Sequence, residues 1–116
     1  YSSPCENERK QRLNQFDRIV TILSKHRGMV VSPMTLVHSL NAHKDIAVEQ
    51  TWDYWEDYGR LLINQSDAVI IIEDPSNKAS KGVVGEVNFA LSIDVPVYTI
   101  CPSTLNVRVI RDITAL

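Results

Sequence analysis

The stretch SDAVIIIEDPSNKASKGVVGEVNFALSIDVPVYTI, residues 66–100, limits the possible folds more than any other part of the chain. Residues 68–72 form an apolar run rich in Val and Ile, as expected of a parallel strand buried on both faces. Residues 73–82 are polar and loop-like, with Pro75, Ser76, Asn77, Ser80 and Gly82 as turn formers. Val83, Val84, Val87, Ala90 and Leu91 then recur at the spacing of an amphipathic helix, and residues 95–100 are a second β-branched run. Two neighbouring strands joined through a helix need a right-handed crossover and lie parallel. In open parallel sheets ligands bind beyond the carboxyl ends of the strands. The loop at 73–82 falls there, and Glu86 is expected in the first turn of the helix that follows.

The remaining segments extend this unit on both sides. Tyr1–Ser3 reads as the tail of a strand whose start is missing, since the chain opens without Met, and Pro4 stops it. Residues 6–27 read as a helix with Leu13, Phe16, Val20 and Leu23 on one face, ended by Gly28 in the left-handed conformation. Residues 29–32 read as a second strand closed by Pro33. Residues 34–45 are loop-like and carry His38 and His43, whose spacing of five does not suit a helical metal pair; they read as solvated. Residues 46–63 read as a long helix with Val48, Trp52, Trp55, Gly59 and Leu62 along one face. Trp52 is expected to pack on the sheet, whereas Trp55 or Tyr58 can wall a pocket. Residues 106–113 alternate loosely, as an edge strand does. The order β-α-β-α-β-α-β-β implies one α/β domain over residues 1–116, a flavodoxin-like doubly wound sheet of about five mostly parallel strands, with helices on both faces.

Composition removes several function classes. A net charge of −2 leaves no electrostatic footprint for a nucleic acid polymer. No apolar run nears the roughly 18 residues of a membrane span. Cys5 and Cys101 lie far apart without metal-type spacing and read as reduced thiols of a cytoplasmic protein. No cofactor motif is present: there is neither a GxxxxGK[ST] loop nor a GxGxxG turn.

Two carboxylates are placed for chemistry. Glu86, after Gly85, is expected near the positive end of a helix dipole, which would keep it ionised; first-turn glutamates also occur for that reason alone. Asp74 ends the strand at 68–72 and reaches toward a ligand. Ser80 is either a helix cap or a donor to a ligand phosphate or hydroxyl. Lys78 and Lys81 make the loop basic, favouring a phosphorylated ligand.

The spacing of Ser80, Gly82, Val83, Glu86, Ala90, Pro96 and Val97 resembles the S-x-G-V-x-x-E segment of the nucleoside 2-deoxyribosyltransferase-like superfamily. The front half is similar too, with YSSPC, a helix carrying Arg9 and Arg12, a glycine, and VVSP at residues 30–33. The resemblance implies a carboxylate nucleophile at Glu86 that attacks the anomeric carbon of a nucleoside or nucleotide. It implies a pocket lined by Ser80 and Gly82, with a backbone cradle from Ser2, Ser3 and Pro4 and with Tyr1 as the aromatic of the first strand. Asp74 would protonate the leaving base or hold sugar hydroxyls, and Trp55 would wall the pocket. Ser2-Ser3-Pro4-Cys5 replaces the glycine-rich first loop of that group. A homo-oligomer is expected, because small domains of this kind complete their pocket with a neighbour. The alternative is a non-catalytic nucleotide-binding or sensing module of the same fold.

Overall fold

A computed structural model describes residues 6–32 and 52–116, and the chain divides into two compact units, Tyr1–Val48 and Glu49–Leu116. The first unit contains helix α1, Glu6–Arg27, with the bounds read from the sequence. No Gly or Pro interrupts its 22 residues, and the hydroxyls of Thr21 and Ser24 donate back to the carbonyls of Asp17 and Val20 at 2.8 Å. Ile19 is buried, with Leu13, Phe16, Val20 and Leu23 half-buried. Gly28 ends the helix at φ +94°, a conformation a side chain would strain.

The strand expected at 29–32 is not formed. Met29 is 95% exposed, and Val31 is exposed as well. Apolar character alone does not make a strand; its backbone must also find a ladder partner. The strand tail expected at Tyr1–Ser3, the loop with His38 and His43, and the first residues of the helix expected at 46–63 lie outside the described residues.

The second unit carries the organising stretch. Helix α2, Trp52–Asn64, leads to strand β1, Val69–Ile72. A single 3-10 turn, Asn77–Ala79, precedes helix α3, Lys81–Ser92. Strands β2, Val97–Ile100, and β3, Val107–Ile110, follow, and a 3-10 turn, Ile113–Ala115, closes the chain. The order is β1-β2-β3. β1 and β2 are parallel, with Val69 opposite Val97 and Ile72 opposite Ile100, as the helical crossover demands. β3 runs antiparallel to β2 as the edge strand, with Ile110 opposite Val97.

The fold is therefore a small α/β arrangement of three helices and a three-stranded mixed sheet among the described residues, not a five-stranded doubly wound flavodoxin-like sheet. The expectation of helices on both faces fails for a physical reason visible in the strands. Ile71, Val97 and Ile110 point to one face and pack with Val87 and Ala90 of α3 and Ile63 of α2. On the opposite face Ile100 is buried, but Ile70, Val107 and Val109 are exposed, Val109 by 54%. An uninterrupted β-branched run signals a strand, but it does not reveal how many layers cover it.

Candidate functional site

The parallel pair ends where a polar cluster begins. Register places Ile71, Thr99 and Arg108 in one row across the three strands. Glu73 follows β1 and stays tied to the sheet, its amide donating to the Ile100 carbonyl at 2.9 Å. Its Oε2 accepts from the buried Thr99 hydroxyl at 2.9 Å and from Arg108 Nε at 3.3 Å. Arg108 also donates through Nη2 to the Ala115 carbonyl at 3.5 Å. Asp74 holds the turn that follows: its Oδ1 accepts from the Ser76 amide at 2.9 Å and the Ser76 hydroxyl at 2.6 Å. Asn77 is buried and its Nδ2 donates to the Ile72 carbonyl at 2.9 Å. Together these groups border a cleft of about 350 Å³ that also meets Cys101 and Pro102. It lies beyond the carboxyl ends of β1 and β2, the position expected for a ligand in a parallel sheet.

Cys101 follows β2 as a free, half-exposed thiol. Its Sγ and the Ser103 Oγ lie 3.3 Å apart. Hydrogen bonds from the Ser103 and Thr104 side chains, then from their amides, lower its pKa from 9.0 to about 7. The loop that supplies these donors closes with the Leu105 amide on the Cys101 carbonyl at 2.8 Å, Leu105 itself standing at φ 63°.

Glu86 occupies a different setting. It is the sixth residue of α3, one turn further in than expected, so the helix dipole has little hold on it. Its Oε1 lies against the buried Gly59 of α2: a β-carbon at 59 would sit 3.6 Å away. Among the described residues no hydrogen bond or ion pair engages its carboxylate. Burial there pushes its pKa above the ordinary 4.5, the reverse of the lowering that a first-turn position implied.

The structure separates the residues singled out from the sequence. Asp74 borders the cleft; Glu86 does not, and neither do Ser80, Gly82, Lys78 and Lys81. Ser80 caps α3, its Oγ accepting from the Val83 amide at 3.3 Å, which is the structural one of its two expected roles. Gly82 is the second residue of α3, and Trp55 is the fourth residue of α2. Tyr1, Ser2, Ser3 and Pro4 lie outside the described residues, and with them the shared site expected between that loop and Glu86. Sequence reasoning missed Glu73, Thr99, Arg108 and Cys101. Strand register brings the Thr99–Arg108 pair together, and only the β2–β3 pairing discloses it. Among the described residues no group of His, Cys, Asp and Glu is arranged to hold a metal ion, and no helix is long and apolar enough to cross a membrane.

Residues 4–101 match a family described as a domain of unknown function, DUF1937, and the chain belongs to that family. No curated protein and no solved structure matches it.

Proposed function

We propose that this chain cleaves or transfers the N-glycosidic bond of a nucleoside, nucleotide or related ligand, with Glu86 as the nucleophile. The observation that carries the reading is the state of that carboxylate: desolvated between two helices and engaged by no partner among the described residues. Glu86 is half-buried, and a desolvated carboxylate held without a charge partner is a functional-site candidate. Its similarity in position to the nucleophile of the nucleoside 2-deoxyribosyltransferase-like superfamily gives the reaction class.

The step is a displacement at C1′. A Glu86 oxygen bonds to the anomeric carbon as the C1′–N bond breaks, and the bonding pair leaves with the base, which must be protonated. That proton comes from solvent at the leaving base, since Asp74, the residue expected to supply it or to hold the sugar hydroxyls, borders a cleft that Glu86 does not. Water or a second base then attacks C1′, releasing Glu86. The reading takes a small-molecule substrate, no cofactor, a cytoplasmic setting and a homo-oligomer. It does not include a nucleic acid polymer or a membrane.

A second reading is a nucleotide-binding or sensing module without turnover. The observation in its favour is that Ser80 is spent on capping α3 and that Glu86 does not border the cleft. Incubation with a panel of nucleosides, nucleotides and NAD, with chromatography for free base, tests the pair. Base release that disappears in Glu86→Gln supports the enzyme; tight binding without release across the panel supports the module.

A further inference from the structure

We infer that the closing turn, residues 112–116, is a movable wall of the cleft beyond β1 and β2, latched by Arg108. The inference concerns a cleft that Glu86 does not border, and it stands whether or not Glu86 is a nucleophile.

The turn makes nearly all of its polar contacts within itself. The Asp112 carboxylate accepts from the Thr114 amide at 2.9 Å. The Ala115 amide donates to the Asp112 carbonyl at 3.0 Å, and the Leu116 amide to the Ile113 carbonyl at 3.1 Å. Among the described residues one hydrogen bond joins the turn to the rest of the chain: Arg108 Nη2 donates to the Ala115 carbonyl at 3.5 Å. The same guanidinium holds Glu73 through Nε at 3.3 Å, so one side chain reaches both the end of β1 and the turn.

Packing supplies the remaining hold. Ile113, Ala115 and Leu116 are half-buried against the core built on Val87, Ala90 and Ile110. Ile110 at the end of β3 is buried, whereas Arg111 and Asp112 are exposed, which places the hinge at these two residues. A segment with local turn bonds, half-buried apolar contacts and one outside tie belongs to the low-stability end of a fold, where opening needs no global unfolding. The tie itself yields readily. The Arg108 side chain is 54% exposed, so water screens its ion pair with Glu73. Its bond to Ala115 is at the long limit of a hydrogen bond, and water replaces such a bond at little cost. Arg108 and Leu116 border the cleft together with Cys101. Outward movement of the turn takes Leu116 out of the wall and widens the way to the thiol.

Native-state hydrogen exchange followed by NMR reads the opening directly. In Arg108→Ala the Ala115 and Leu116 amides are expected to exchange roughly tenfold faster, the loss of one bond to a charged group, while the amides of β2 keep their rates. Glu73→Gln leaves the bond to Ala115 in place and should accelerate these two amides less. Access to the cleft is read in Cys5→Ser protein, with Cys101 alkylated in parallel by N-ethylmaleimide and by a fluorescein maleimide. The ratio of the two rates cancels the thiolate fraction. Arg108→Ala should raise the ratio of large to small reagent severalfold, and Leu116→Ala should do so with the latch intact. Glu86→Gln should leave both readouts unchanged, which keeps this result separate from base release. Unchanged exchange at Ala115 and Leu116 in Arg108→Ala overturns the inference, as does a rise shared equally by the amides of β2. So does a reagent ratio that stays level in both Arg108→Ala and Leu116→Ala.

Discussion

Replacing Glu86 by Gln tests the site through stability as well as turnover, and the two readouts fail independently. Burial raises the Glu86 pKa in the folded chain above its ordinary 4.5. A raised folded pKa means that the native state holds this proton more tightly than the unfolded chain does. The stabilisation is then complete below the unfolded pKa and is lost as pH rises through the folded value. Wild-type stability should therefore carry a component that declines from about pH 4 toward neutrality, at about 1.4 kcal/mol for each unit of elevation. Gln has nearly the same volume and no charge to desolvate, so Glu86→Gln should be the more stable protein at neutral pH by that amount. It should match wild type at about pH 4, where both side chains are neutral. Urea unfolding of the two proteins across this range gives the difference directly. In the same samples base release should fall by on the order of a thousandfold or more, as when a covalent nucleophile is removed. Parallel stability curves at all pH values would refute the desolvation of this carboxylate. Unchanged turnover would refute the nucleophile while leaving the electrostatics intact.

Three further outcomes follow from the same geometry. Ser80→Ala should cost about 1 kcal/mol by urea unfolding, through loss of the bond from the Val83 amide, and Ser80→Asp should restore most of it. Gly59→Ala places a methyl 3.6 Å from Glu86 Oε1, an ordinary contact. It should add about 0.5–1 kcal/mol at low pH from helix propensity, with a smaller gain at neutral pH because the methyl shields Glu86 further; unfolding at two pH values checks this. The alkylation rate of Cys101 should titrate with a midpoint near its pKa of about 7, and Ser103→Ala should move that midpoint upward, as followed by iodoacetamide kinetics in Cys5→Ser protein.

Local periodicity was legible wherever the chain pays its own way through nearby contacts. The helical stripe from Val83 to Leu91 became α3, the break at Gly28 became a left-handed cap, and the two β-branched runs became parallel neighbours. Residues 29–32 had the same apolar character and formed no strand. Strand formation is a property of pairs, and a single sequence does not show which pairs form. The same limit explains the exposed face of Ile70 and Val109: the number of layers over a sheet is a tertiary fact.

The site shows the difference more sharply, because a helix shift of one turn reversed the chemistry assigned to Glu86. Counted from Gly82 as the end of a loop, Glu86 is a first-turn residue with a favourable dipole and a low pKa. Counted from the Ser80 cap that the Val83 amide confirms, α3 begins at Lys81, and Glu86 sits in the second turn against Gly59. The signal was available, since Ser80 three residues ahead of Val83 is an N-cap spacing. Gly59 was not readable as its neighbour, because 27 positions separate the two and only the packing of α2 on α3 joins them. An ionised first-turn glutamate is compatible with a purely structural role. A desolvated one without a partner must be held in place by the rest of the fold at some cost in stability. The proposal of Glu86 as a nucleophile therefore rests on desolvation, a ground opposite to the dipole position that first drew attention to it.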